Sequence, residues 1–186
     1  MSDELVLHLE GLKVETIKGA VLVDAVDISL RRGEILGLIG ESGAGKSTIG
    51  LASMAYARAG CRITGGSITI NGTELRASTA AQRRNFRGKS IAYIAQSAAA
   101  SFNPVMTLMD QVCEAPVTHG VMTRAEAQAY ALRLFRTLQL PSPETFGERY
   151  PHQVSGGQLQ RAMAAMAMSR RADVVVLDEP TTALDV

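Results

Sequence analysis

The sequence predicts an α/β protein, and three observations support that fold class. Short apolar runs alternate with glycine-containing turns in the first third of the chain, which is typical of strands. A glycine-rich segment, Gly40–Ser47, directly follows the apolar run Ile35–Ile39, as expected where a strand leads into a helix. Between Gln96 and Ser155 the apolar residues recur about every 3.6 positions, which indicates an inserted helical segment. The expected architecture is a core with a parallel sheet and a helical insertion.

The composition narrows the class of protein. The chain has 186 residues, enough for one domain with a hydrophobic core. Its net charge of +1 gives no reason to expect nucleic acid or an anionic membrane as a partner. No apolar run reaches the about 18 residues of a membrane-spanning helix, and the start, Met1–Glu4, is acidic where a secretory signal would be basic. We therefore expect a cytosolic protein without direct membrane insertion, and Cys61 and Cys113 are expected to be reduced thiols.

Four apolar runs predict strands in the N-terminal half. Leu5–Leu9 and Val21–Leu30 have strand character, and the alternation within the second suits a strand with one face in solvent. Ile35–Ile39 is apolar on both sides, which predicts a buried strand of a parallel sheet. Gly66–Ile70 predicts a further strand that ends at the Asn71-Gly72 turn.

The elements beyond the glycine-rich loop follow from local signals. A helix is expected from Gly45 to about Ala57, and Ser90–Ala95 reads as a strand that leads to Gln96. Thr123–Glu126 fits a capping box that starts a helix. The apolar positions Ala127, Tyr130, Ala131, Leu134 and Leu138 share one face of that helix, and Pro141 and Pro143 are expected to end it. The short β-branched run Val174–Leu177 predicts a second buried parallel strand.

The glycine-rich loop fits the phosphate-binding pattern G-x-x-x-x-G-K-[ST]. Its glycines allow successive backbone N–H groups to surround a phosphate, and the following helix adds its positive end. Lys46 is expected to reach the β- and γ-phosphates, and the Ser47 hydroxyl to ligate Mg²⁺. A structural turn would also use glycines, but it would not require Lys-Ser at the helix start. The predicted nucleotide-binding residues of this loop are Gly40, Glu41, Ser42, Gly43, Ala44, Gly45, Lys46, Ser47 and Thr48.

Two carboxylates directly follow the last predicted strand. Adjacent residues on an extended backbone point in opposite directions, so Asp178 is expected near Mg²⁺ and Glu179 is expected to polarise the attacking water. An Asp-Glu pair after a strand can also be a surface turn. Gln96 follows another strand and is a candidate to orient water or contact the metal, although a glutamine at a strand end is often merely solvated.

Ser155-Gly156-Gly157-Gln158 has two compatible interpretations. As structure, Ser155 is a helix N-cap with Gln158 at the third helical position. As function, the paired glycines leave backbone N–H groups open to an anion. A plain cap would not need the two glycines, each of which disfavours a helix by roughly 1 kcal/mol, and this cost favours an anion site.

With these segments in this order, the chain resembles the nucleotide-binding subunit of ATP-binding cassette (ABC) transporters over essentially its whole length. Three longer strings, Phe102–Thr107, Arg149–Gln153 and Asp178–Val186, are most similar to subunits that power dipeptide, oligopeptide and nickel importers. The resemblance implies a P-loop NTPase (RecA-like) core with an N-terminal antiparallel β subdomain and an inserted α-helical subdomain. Residues 1–186 would form one ABC ATPase domain, with the β subdomain and core at 1–96, the helical subdomain at 97–155, and the signature helix, last strand and D-loop at 156–186.

The family resemblance also implies partners and cofactors. Two such domains, identical or different, would hold two ATP molecules with Mg²⁺ head to tail, with Ser155, Gly156 and Gly157 contacting the γ-phosphate on the partner's Lys46. Gln96 and the helical segment would face transmembrane permease subunits, which places the protein on the cytoplasmic face of the cell membrane. Asp185 would cross the dimer interface. No nucleic acid partner is expected.

The sequence departs from the family pattern in three places. Val14–Lys18 lacks the usual adenine-stacking aromatic, so apolar contacts are expected to hold the base. Val154 replaces the more usual Leu. The family's next strand and switch histidine would lie beyond Val186, so we expect a fragment that is incomplete at the C-terminus, with a gap in its sheet and weak or no ATP hydrolysis by itself. The alternative is an ABC ATPase that acts on DNA or ribosomes, which would be expected to carry basic patches or coiled-coil insertions.

Overall fold

The strands of the described residues form one antiparallel sheet and one short parallel pair. The computed structural model describes residues 4–41 and 43–178. Contacts between these residues divide them into two compact units, the first ending at Arg87 and the second beginning at Gly88.

The first unit contains a four-stranded antiparallel sheet. Its strands are β1 (Leu5–Thr16), β2 (Val21–Arg31), β3 (Cys61–Ile70) and β4 (Thr73–Glu74), in the order β2-β1-β3-β4. The strands predicted around Leu5–Leu9, Val21–Leu30 and Gly66–Ile70 are therefore confirmed. Buried side chains from β1 and β3 supply most of the apolar interior of this sheet, and they include Leu9, Leu12, Val14, Ile68 and Ile70.

Two backbone features fix the shape of this sheet. The predicted turn is confirmed: Asn71 and Gly72 have φ angles of 47° and 75° and join β3 to β4 as a two-residue hairpin. At Gly66, φ is +80° and an added Cβ would lie 2.4 Å from the carbonyl oxygens of Glu10 and Gly11. Only glycine fits there, where the β1–β3 register shifts.

The prediction of a buried strand at Ile35–Ile39 is wrong for the described structure. This segment has no regular secondary structure, and Ile35 and Ile39 are 97% and 99% exposed. A strand is stable only when a neighbour satisfies its backbone N–H and C=O groups. Within residues 4–41 and 43–178, no strand pairs with this segment, which explains the difference.

The helix after the glycine-rich loop is shorter than predicted. Helix α1 spans Lys46–Ala52 and does not continue to Ala57. Ala55 has φ of 50°, its N–H donates to the Ala52 carbonyl, and the Tyr56 N–H donates to the Leu51 carbonyl. This is the hydrogen-bond pattern of a Schellman C-cap, here with alanine in the left-handed position, and it ends the helix. Helix α2 (Ala80–Lys89) follows the sheet.

The second unit pairs two parallel strands, β5 (Ile91–Ile94) and β6 (Val174–Leu177). Ile91 lies opposite Val174 and Ile94 opposite Leu177, so the carboxyl ends of the strands meet at the same edge. The strands predicted at Ser90–Ala95 and Val174–Leu177 are confirmed, and so is the parallel pairing predicted for the second. The prediction that the second strand is buried is wrong, because Val175 and Leu177 are 42% and 55% exposed.

Helices lie between these two strands in the chain, so the predicted helical insertion is confirmed. They are α3 (Leu108–Thr118), α4 (Arg124–Thr137), α5 (Pro143–Phe146), a 3₁₀ turn (Pro151–Gln153) and α6 (Gly156–Met168). Their shared core includes Phe135 and Phe146, whose rings meet edge to face at 5.3 Å. Burial raises the pKa of the Cys113 thiol in the same core, and Cys61 and Cys113 are both free.

The start of α4 is as predicted, but its end has a different cause. Thr123 and Glu126 form the expected capping box. The helix ends at Thr137, before Pro141 and Pro143, because Gln139 adopts φ of 52° and the Leu140 N–H donates to the Phe135 carbonyl. In the part of the chain that is described, no helix combines the length and the apolar character needed to cross a membrane.

Candidate functional site

The lysine of the glycine-rich loop folds back over the loop. Its ammonium Nζ donates to the carbonyl oxygens of Gly40 and Glu41, each at 2.7 Å. The Ala44 N–H donates to the Glu41 carbonyl at 3.1 Å, and Gly43, inside this turn, has φ of +84°. The loop is therefore a closed turn, with a single positive charge held across its opening.

Gly45 joins this loop to α1 and packs against the sheet. Its φ is +85°, and an added Cβ would lie 2.9 Å from the carbonyl oxygen of Leu22 in β2. Both the left-handed conformation and the close approach require glycine. The sequence pattern predicts glycines that leave backbone N–H groups open to a phosphate, and it does not specify the φ of Gly45. Nothing in the sequence pointed to Leu22 as the backbone against which the loop rests.

The remaining residues predicted for this loop lie around the start of α1. Ser47 and Thr48 belong to its first turn and are half-buried, and Ser42 lies outside the described residues. Of the segment Val14–Lys18, Val14 is buried in β1 whereas Ile17 is 69% exposed.

In the second unit, Gln96 and Asp178 lie at one edge of the parallel pair. Gln96 is exposed and follows the end of β5, and Asp178 directly follows β6. The Asp178 N–H donates to the Ile94 carbonyl at 2.9 Å, and the Tyr93 hydroxyl lies 2.6 Å from Oδ2 of Asp178. Tyr93 was missed from the sequence. Tyr93 lies on β5 opposite Val176 and therefore on the same face of the sheet as Asp178. This placement would identify Tyr93 once the strand register is known.

The N-terminus of α6 shows the predicted cap. The Ser155 hydroxyl accepts from the Gln158 N–H at 3.3 Å, and the Gln158 side chain accepts from the Ser155 N–H at 3.1 Å. A Cβ added to Gly156 would meet nothing within 4 Å. Among the described residues, no atom accepts a hydrogen bond from the N–H groups of Gly156 and Gly157. Neither packing nor capping within the described structure requires glycine at position 156.

The predicted site residues are therefore distributed over both units. The loop from Gly40 to Thr48 belongs to the first unit, whereas Gln96, Ser155 and Asp178 belong to the second. Glu179 and Asp185 lie outside the described residues.

The oxygen-bearing candidates suit one kind of metal ion. The Ser47 hydroxyl, the Gln96 amide and the Asp178 carboxylate are hard oxygen ligands of the type that Mg²⁺ prefers. Within residues 4–41 and 43–178, no three acidic, histidine or cysteine side chains cluster as a metal site.

A fold with a phosphate loop, an antiparallel sheet and a helical insertion defines a nucleotide-binding cassette. A family model described as ABC transporter matches residues 23–182, well over half of the chain. The chain therefore belongs to the ABC transporter family, as an ATP-binding cassette.

Curated relatives give a more specific comparison. Over 198 aligned positions the chain is 40% identical to proteins named glutathione import ATP-binding protein GsiA, from Shigella boydii serotype 4 (strain Sb227) and from Escherichia coli (strain K12). The alignment covers 100% of this chain and 32% of those relatives, so the chain spans about a third of their length.

Solved structures share the fold. The dimeric structure of MJ0796, a bacterial ABC transporter cassette, superposes with a TM-score of 0.82 at 24% identity, covering 96% of this chain and 76% of that one. An ATP binding subunit of an ABC transporter superposes with a TM-score of 0.78 at 26% identity, covering 97% of this chain and 68% of that one. The predicted P-loop NTPase fold is thus confirmed.

Proposed function

We propose that this chain is the ATP-binding and ATP-hydrolysing module of an ABC importer. The observation that carries the proposal is the arrangement of Lys46, whose ammonium lies 2.7 Å from two carbonyls across the mouth of a loop with left-handed glycines. A phosphate group that enters this loop would meet the charge of Lys46, backbone N–H groups and the start of α1.

The catalytic residues follow from the chemistry of phosphoryl transfer. Ser47, Gln96 and Asp178 are the proposed ligands of Mg²⁺, which would supply positive charge to offset the negative charge that develops in the transition state. Glu179 would orient and polarise the attacking water, and Lys46 would stabilise the charge on the γ-phosphate.

A second cassette is the proposed partner at the N-terminus of α6. The N–H groups of Gly156 and Gly157 and the open space beside Gly156 suit an anion or a surface from outside this chain. In a head-to-tail dimer these groups would contact the γ-phosphate held by the partner's loop. The solved structures of the cassette MJ0796 are dimeric, which supports a dimer of cassettes.

The proposed setting is the cytoplasmic face of a membrane. Transmembrane permease subunits would bind the cassette near Gln96 and the helical insertion, without insertion of this chain itself. The named import function of the glutathione relatives supports inward transport of a small peptide-like solute. A metal chelate is the other proposed cargo. Closure on ATP and opening after hydrolysis would drive that transport.

The test is ATP hydrolysis by the full-length protein. Glu179→Gln should retain ATP binding and lose hydrolysis, whereas Glu148→Gln, which changes an exposed glutamate beyond α5, should behave like the wild type. Co-purification should recover a hydrophobic permease. Normal hydrolysis in Glu179→Gln, or recovery of DNA or RNA in place of a permease, would contradict the proposal.

A further inference from the structure

Asp178 is held to β5 at two points. Its backbone N–H donates to the carbonyl of Ile94, continuing the parallel ladder by one residue beyond β6. Its carboxylate Oδ2 accepts from the hydroxyl of Tyr93 at 2.6 Å. That length lies in the range of O–H···O⁻ hydrogen bonds to an ionised acceptor, which are about twice as strong as neutral ones.

The register of the two strands explains why this tyrosine reaches that carboxylate. Tyr93 lies directly opposite Val176, and Asp178 is two residues further along β6 and therefore on the same face. Diagonal neighbours in a sheet lie about 7–8 Å apart at the backbone, a distance that a long aromatic side chain spans. Phenylalanine would supply the same ring, so packing does not account for the hydroxyl.

We infer that Tyr93 is a positioning residue that fixes the orientation of the Asp178 carboxylate for Mg²⁺. This inference rests on the proposed function. A carboxylate group can rotate about the bond that joins it to the side chain. A hydroxyl that donates to one of its two oxygens favours one orientation of both oxygens. Removal of a hydrogen bond to a metal-ligating group typically lowers metal affinity or activity by about 10- to 100-fold.

The inference is tested by the Mg²⁺ dependence of nucleotide binding in the full-length protein. A fluorescent ATP analogue is titrated with Mg²⁺ and, separately, bound in excess EDTA. Tyr93→Phe should raise the Mg²⁺ concentration at half-saturation by about tenfold or more, and should leave binding in EDTA unchanged. Tyr130→Phe is the matched control. The guanidinium groups of Arg133 and Arg171 lie over the Tyr130 ring in the second unit. Removal of the Tyr130 hydroxyl should change neither quantity.

A double-mutant comparison shows whether the effect passes through the carboxylate. In an Asp178→Asn background, Tyr93→Phe should have little further effect on half-saturation by Mg²⁺, because the charged acceptor is gone. A half-saturation value within twofold of the wild type in Tyr93→Phe alone would overturn the inference, as would an equal effect of Tyr93→Phe in both backgrounds. Absence of any Mg²⁺-dependent binding in the wild type would overturn the proposed function as well.

Discussion

The hydroxyl of Ser169 lies 2.9 Å from the carbonyl oxygen of Val112, four residues before Pro116 in α3, and its single proton is shared with the Met166 carbonyl of α6, also at 2.9 Å. In a regular helix the Val112 carbonyl would accept from the N–H of residue 116, but proline has none. Ser169 directly follows α6 and is fully buried. Its hydroxyl supplies a donor to the Val112 carbonyl of α3, which lacks the N–H of residue 116 as a partner. It ties α3 to α6.

Removal of this hydroxyl should destabilise the protein in a way that depends on Pro116. Ser169→Ala should cost about 1–3 kcal/mol in unfolding free energy, because it leaves a buried carbonyl without a partner. In a Pro116→Ala background the cost should be smaller, since the alanine N–H can donate to Val112. Urea denaturation measures both costs, and Ser101→Ala, which removes a more exposed bond to the Ser97 carbonyl, is the control. Equal costs in the two backgrounds would show that Pro116 is irrelevant to the role of Ser169.

Two glycines of the phosphate loop should respond differently to alanine. Gly43 and Gly45 have nearly the same φ, 84° and 85°, so each alanine should cost about 1–3 kcal/mol from backbone strain. Only at Gly45 would the new methyl group also press on the Leu22 carbonyl, at 2.9 Å, whereas at Gly43 it would meet nothing. Gly45→Ala should therefore lower unfolding free energy and ATP affinity more than Gly43→Ala. Matched losses in the two variants would mean that contact with β2 does not support the loop.

Glu74 should make the free energy of unfolding depend on pH. Its carboxylate accepts from the backbone N–H groups of Ile68, Arg76 and Ala77. Burial raises the pKa of Glu74, but these hydrogen bonds and the nearby Arg76 outweigh burial and hold the pKa below its ordinary value of 4.5. A carboxyl with a lowered folded-state pKa stabilises the protein above its unfolded-state pKa, and this stabilisation is lost as pH falls through the folded-state pKa.

The measurement is urea denaturation across that pH range. Glu74→Gln should be less stable than the wild type at neutral pH, and the difference should shrink below pH 4.5. Glu10→Gln, at an exposed position of β1, is the control and should show no such trend. A difference that stays constant with pH would rule out the hydrogen-bonded carboxylate as its source.

Features specified by neighbouring residues could be predicted from the sequence. The Asn71-Gly72 hairpin, the Thr123 capping box and the Ser155–Gln158 cap all form as expected, because the groups that bond lie within a few residues of each other. The turn of the glycine-rich loop is also local, because Lys46 donates to the carbonyls of Gly40 and Glu41, no more than six residues away. The expected contacts of Lys46 with phosphate stay a prediction.

Features that depend on distant partners could not be predicted. Whether Ile35–Ile39 is a buried strand depends on a neighbour that pairs with it, and apolar character alone does not provide one. The Tyr93–Asp178 bond joins residues 85 positions apart and requires the register of β5 with β6. The partnership of Ser169 with Val112 likewise requires the packing of α6 on α3, which no local pattern encodes.

The central claim is that the loop from Gly40 to Thr48 binds the phosphates of ATP through Lys46. Isothermal titration of the full-length protein with ATP and Mg²⁺ tests it, with Lys46→Ala compared against Lys89→Ala, an exposed lysine at the end of α2. Hydrogen bonds from charged groups contribute about 1.5–3 kcal/mol, so Lys46→Ala should weaken ATP binding by about 10- to 100-fold, and Lys89→Ala should not. Binding of ATP by Lys46→Ala with the wild-type dissociation constant would contradict the claim.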